Sequence, residues 1–218
     1  MLTTFLIGMF YCLDALYGER RDRSILFWKS LPVPDRTTVL SKVVIPLVVL
    51  PLLGFVIGQA TQVILLMLGT MILQGSGLGA GTLWSEFHFF QGPLVMIYGL
   101  TVFVLWWAPI YSWLLLVSAW ARRATLLWAV LPLLAVSALE RIAFNTSYFL
   151  SMLQYRFGGA MKEGFAFAPK GSSHGVIDQL TQLDPAKFLS RPGLWVGLVF
   201  AAAFLAAAVR LRRNREPI

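Results

Sequence analysis

Charge is what this sequence has least of. Only 13% of its 218 residues are Asp, Glu, Lys or Arg, about half the share of an ordinary soluble domain. Cysteine occurs once, as Cys12; that excludes an intramolecular disulfide and leaves a small buried hydrophobe as the reading of this residue. Histidine occurs twice. His88 stands two residues from Glu86, off a shared helical face and outside any HExxH pattern, and His174 with Asp178 supplies only two ligands. No metal centre is expected. The GK[ST] ending of a phosphate loop and the GxSxG elbow of a hydrolase are also missing. The glycine run 75–82 (GSGLGAGT) therefore reads as a flexible turn, and the chain is expected to be non-catalytic with no cofactor of its own.

What fills the sequence is apolar surface. Hydrophobic residues make up 58%, mean hydropathy is +0.73, and eight Trp and sixteen Phe are present. A soluble fold of this size could not hide that much, so the fold class is an all-α integral membrane protein in a single domain, 1–218. The net charge of +8 does not point to nucleic acid, because the basic residues cluster at the ends of apolar runs, where anionic lipid headgroups are met. The runs are 1–14, 42–73, 94–118, 124–142 and 194–211, about five membrane-embedded helices. The first is short: thirteen residues rise only about 20 Å against a hydrocarbon core of about 30 Å. It lacks the basic start and small-residue cleavage site of a signal peptide, and reads as a clipped membrane helix. Residues 143–193 form an external segment with short helices before the last span.

The densest charge lies between the first two runs, in 15–41 and its border. Arg20, Arg21, Arg23, Lys29, Arg36 and Lys42 are six of the eighteen basic residues. Glu19 and Arg23 stand four apart, the spacing of a helical ion pair. Ile25, Trp28 and Leu31 recur every three residues as one apolar stripe, and Pro32 stops the helix they define. Such a short amphipathic helix lies in the headgroup layer, docks a soluble partner, or does both. Asp35 is placed to N-cap the next helix, in which Pro46 and Pro51 are expected kinks. One pass of that long helix, rather than two, keeps the 18–42 loop, Arg122-Arg123 and the terminal Arg210, Arg212, Arg213 and Arg215 on one side, which the positive-inside rule assigns to the cytoplasm. The glycine- and aromatic-rich 74–93 then lies outside.

Residues 43–73, 94–118, 124–139 and 194–209 hold no Asp, Glu, Lys, Arg or His. Ion-coupled transporters and voltage sensors need ionisable groups at membrane depth, so any uphill movement must draw energy from elsewhere. Gln59 and Gln62 share a helical face and either hydrogen-bond another helix or line a substrate path. Glu140 and Arg141 end the fourth run as interfacial residues or an external gate. Ala201–Ala203 and Ala206–Ala208 permit close helix packing.

The 18–42 loop resembles the cytoplasmic loop of the membrane subunits of type-2 ABC exporters, the ABC-2 family of permeases. Glu19-Arg20, Ser24-Ile25-Leu26, then Ser30-Leu31-Pro32-Val33-Pro34-Asp35-Arg36 and Ser41-Lys42 match its order and spacing over about 25 residues, and the hydropathy pattern extends the match over most of the chain. Two departures stand out: Arg23-Ser24 replaces a usual Gly-Thr, and the family's first helix is missing with its second clipped. The resemblance implies a subunit of an exporter in a bacterial cytoplasmic (inner) membrane, with its C-terminus cytoplasmic. It pairs with another permease as a homodimer or heterodimer, and two cytoplasmic ABC ATPases carry the ATP and Mg. Coupling to them would fall on Glu19, Arg20, Arg23, Ile25, Trp28, Leu31, Pro32 and Arg36. A non-transporting membrane scaffold shares the same hydropathy, and an intramembrane enzyme is disfavoured by the lack of polar groups at depth.

Overall fold

The computed structural model describes residues 2–24, 27, 33–75, 81, 91–165 and 183–214. Apart from one isolated bridge between Phe165 and Leu183, the regular structure among them is helical. Helix α1 (Leu2–Ala15) is followed after Leu16 by the single turn α2 (Tyr17–Arg21). Helix α3 (Asp35–Gly75) is one continuous rod of 41 residues rather than two half-length passes. At its Pro46 and Pro51 it does not break. Residues Ile45–Val49 widen into a π turn, and the Leu50 N–H reaches back five residues to the Ile45 carbonyl. Proline removes an N–H and crowds the carbonyl four residues earlier; a wider turn accommodates both effects.

The remaining helices are α4 (Gln91–Trp120), α5 (Thr125–Phe144), α6 (Tyr148–Gly164), α7 (Pro185–Leu189) and α8 (Pro192–Asn214). Helix α3 starts seven residues earlier than its apolar run, because Asp35–Ser41 continue the helix in polar sequence. Asp35 does not cap it. Pro34 occupies the cap position in extended conformation and Asp35 is the first helical residue, its carboxylate turned to Arg212. Asn145 closes α5 in the left-handed region, φ 50°, and its N–H returns to the Arg141 carbonyl. Asn tolerates that conformation better than most residues.

Helix α4 is the axis. It buries Val102, Trp106, Tyr111, Leu115, Val117 and Ser118, with α8 lying along it. Gly197, Ala201 and Ala208 are buried small residues of α8, with Gly197 facing the Arg156 guanidinium of α6, while Ala202, Ala203 and Ala206 face outward. One apolar cluster joins α1, α3, α4 and α8 through Phe5, Cys12, Val39, Tyr111, Leu115 and Ala208. A second joins α4 to α6, α7 and α8 through Val102, Trp106, Ala160, Phe188 and Leu194. Trp106 is its pivot: the indole N–H donates to the Arg156 carbonyl at 2.8 Å, and the Arg156 guanidinium lies over the ring at 4.6 Å.

Two helices stay on the outside. Leu50–Gly75 buries no residue and α5 buries only Ala129, so Leu52, Val56, Ile57, Leu134 and Leu139 are exposed. Water would penalise such faces, whereas hydrocarbon does not. The α3, α4, α5 and α8 helices are each long and apolar enough to cross a membrane.

Gly164 ends α6 where a side chain does not fit: a Cβ there would approach Val102 Cγ1 to 2.6 Å, and valine has few rotamers to retreat into. Gly164→Ala is expected to cost about 1–3 kcal/mol, read as a lowered unfolding temperature in detergent. An unchanged temperature would show that α6 is not held against α4 there.

Candidate coupling site

The site is built from α2 outward. Helix α2 has five residues, too few to hold its shape alone, and is pinned to the C-terminal end of α4. The Leu16 and Tyr17 N–H groups donate to Ser118 Oγ at 3.1 and 2.9 Å. Arg20 donates through Nη1 to the Ala119 carbonyl and through Nη2 to the Ala121 carbonyl, the latter at 2.6 Å. Carbonyls at a helix C-terminus have no intrahelical partner and carry its negative dipole end. A guanidinium is suited to both, which is why Arg20 can be 3% exposed.

Glu19, 8% exposed, is the second anchor. Its Oε1 pairs with Lys42 Nζ at 3.2 Å, and its Oε2 accepts from Arg212 Nη1. Arg212 also donates through Nε to Asp35 Oδ1 at 3.2 Å. Two carboxylates and two cations from α2, α3 and α8 thus form a neutral quartet. Arg212, 4% exposed, lies at its centre. Glu19 and Arg212, the two nearly covered charges, would each be costly to bury alone and are tolerated as a matched pair, while Lys42 and Asp35 stay partly exposed.

The expected Glu19–Arg23 helical pair is not formed. Helix α2 ends at Arg21, Arg23 lies beyond it exposed at φ 57°, and Glu19 turns inward instead. Arg21 pairs with Asp22 at 3.0 Å in the open, and that hydrogen bond raises its pKa above the usual guanidinium value; an exposed pair of this kind contributes little to stability. Arg36 is exposed on the first turn of α3. Ile25, Trp28, Leu31 and Pro32 lie outside the described residues, as do Glu86, His88, His174 and Asp178. Phe27, which the stripe did not include, is 61% exposed.

The other sequence candidates are elsewhere. The Gln59 amide faces Met96 Sδ at 3.4 Å, and Gln62 faces Gly92, so both turn toward α4. Below them α3 and α4 leave an apolar groove of about 350 Å³, lined by Leu47, Pro51, Phe55, Ile97, Leu100 and Val104. Glu140 accepts from Thr146 Oγ1 at 2.9 Å and from the Tyr148 and Phe149 N–H groups at 2.7 and 2.9 Å. It caps α6, a structural task that takes up both oxygens, while Arg141 is exposed. Among the described residues no group of three His, Cys, Asp or Glu is placed to hold a metal.

Sequence reasoning missed Arg212, Ser118 and the inward side of Lys42. The signal for Arg212 was available: Leu194, Gly197, Ala201, Ala208 and Arg212 are the buried residues of α8, spaced as one helical face. Read as a membrane-edge cation, Arg212 hides its place on that face. Comparison with protein-family models, curated proteins and solved structures gives no match to this chain.

Replacing Glu140 by Gln weakens the cap that starts α6. Amide exchange at Tyr148 and Phe149 is expected to speed up while α4 stays protected. Equal exchange in both proteins would contradict the capping role.

Proposed function

We propose that this chain is the membrane-spanning permease subunit of an ATP-binding-cassette exporter of the ABC-2 type, coupled through the loop between α2 and α3 to a separate cytoplasmic ATPase. The observation that carries the reading is the contrast between the two parts of the chain. The spans hold no ionisable group at depth, while both ends of the loop are tied by buried charges to α4 and α8. A loop held in this way can receive a push and pass it on; a loose loop would absorb it.

In this reading Glu19 and Arg20 are anchors inside the bundle rather than contacts for the ATPase. The docking surface is left to the stripe Ile25, Trp28 and Leu31, with Arg23 and Arg36 exposed at either end of the loop. ATP and Mg act on the partner, whose closure drives the loop. The apolar faces of α3 and α5 meet lipid or a second permease.

Isolation of the chain from its native membranes in mild detergent tests this. A Walker-motif ATPase is expected to accompany it and to hydrolyse ATP faster in its presence. Trp28→Asp with Leu31→Asp should insert normally and lose that ATPase. Retention of the ATPase by the double variant would sink the docking claim, and its absence from the wild-type preparation would favour the scaffold reading.

A further inference from the structure

The loop has two feet, each with a carboxylate. Glu19 stands at the foot that leaves α2, and Asp35 at the foot that enters α3. One guanidinium holds both: Arg212 reaches Glu19 Oε2 through Nη1 and Asp35 Oδ1 through Nε. It lies in the last turns of α8, 193 residues from Glu19 in sequence.

The two feet are not fixed equally. The Glu19 foot is bolted to α4 by Ser118 and by the two carbonyls that Arg20 holds. The Asp35 foot has no side-chain cap; its carboxylate, 28% exposed, meets Arg212, and seven residues on Lys42, 26% exposed, ties the same helix to Glu19 at 3.2 Å. Above it, α3 has its π turn at Ile45–Val49 and the apolar groove beside Pro51, which leave room for the rod to tilt toward α4. Helix α8 lies along α4, with Ala208 in their shared apolar cluster and Phe204 against the Trp113 ring at 5.4 Å.

We propose that Arg212 is a positioning residue that couples the spacing of the loop's two feet to α8: when the Asp35 foot moves against the fixed Glu19 foot, the shared guanidinium carries the last span with it. The partner that pushes the loop rests on the reading above, whereas the clasp itself does not. Lysine cannot replace it, because an ammonium is a point charge and the guanidinium's planar fork spans two carboxylates.

The experiment uses full-length chain in lipid nanodiscs. Arg212→Lys tests the two-carboxylate bridge. Glu19→Gln with Arg212→Met removes the central pair without leaving either charge buried alone, so the fold is kept if one single variant fails to insert. First, amide exchange is followed at Asp35–Lys42 and at Arg210–Asn214. Both segments are expected to open at least about tenfold faster in Arg212→Lys and in the double variant, with Leu16–Asp22 still protected by Ser118 and Arg20. Unchanged exchange in α8, or opening of α8 without the Asp35 foot, overturns the clasp.

Second, Gly193→Cys, where a side chain meets no neighbour, reports on the far end of α8 through its maleimide labelling rate with the ATPase bound. That rate is expected to differ between nucleotide-free and ATP-trapped complexes in the otherwise wild-type chain. In Arg212→Lys the difference disappears while the ATPase stays bound, a loss that a merely structural residue would not produce. A difference that persists in Arg212→Lys overturns the proposal. If no ATPase joins the wild-type chain, the exporter reading has failed and the exchange measurements decide the clasp alone.

Discussion

A carboxylate at the edge of an apolar bundle has to be matched, and the rest of the architecture follows from how Glu19 is matched. Removed from water, its charge would be strongly unfavourable without partners. Lys42 and Arg212 supply them, and Asp35 balances the second cation. The outcome is local neutrality at a point where α2, α3 and α8 converge, with Arg20 closing off the end of α4 beside it. A partly buried quartet of this kind is weak evidence for stability in itself. What it does is fix register: with Glu19 and Arg212 paired, α2 and the C-terminal end of α8 cannot slide apart without exposing or orphaning a charge.

Above this end the physics changes. The spans have no charges to match, so packing alone positions them, and α4 takes the central place because its aromatic and β-branched residues face helices on several sides. Small residues bring α8 close, Trp106 and Arg156 hold α6, and Glu140 starts it. The long α3 and the short α5 remain peripheral, with apolar faces that suit lipid or another membrane subunit.

The helical class and the four long apolar helices were legible because they rest on composition and run length, which local sequence carries in full. The long α3 was legible from charge distribution, since a second crossing would have stranded its basic neighbours. The partners of Glu19 were not. Arg23 stood at the ideal local spacing, and only the end of α2 at Arg21 removes it from reach. Lys42 and Arg212 lie 23 and 193 residues away, and nothing in a hydropathy profile distinguishes an arginine that faces headgroups from one that closes a buried pair. Glu140 reads in the sequence as an interfacial residue or part of an external gate; its cap on α6 was not legible, because it depends on the N–H groups of Tyr148 and Phe149 eight and nine residues on.

Everything said of the loop requires that α2, the α4–α5 turn and the end of α8 lie on one side of the membrane, with the α5–α6 turn on the other. Cys12 is fully buried, so Cys12→Ala gives a background for single cysteines at Arg36, Arg122, Arg213 and Ser147, each exposed. In intact cells a membrane-impermeant maleimide is predicted to label Ser147→Cys at once, and Arg36→Cys, Arg122→Cys and Arg213→Cys only after permeabilisation. Labelling of Arg36→Cys and Arg213→Cys from opposite sides would contradict the account at its root.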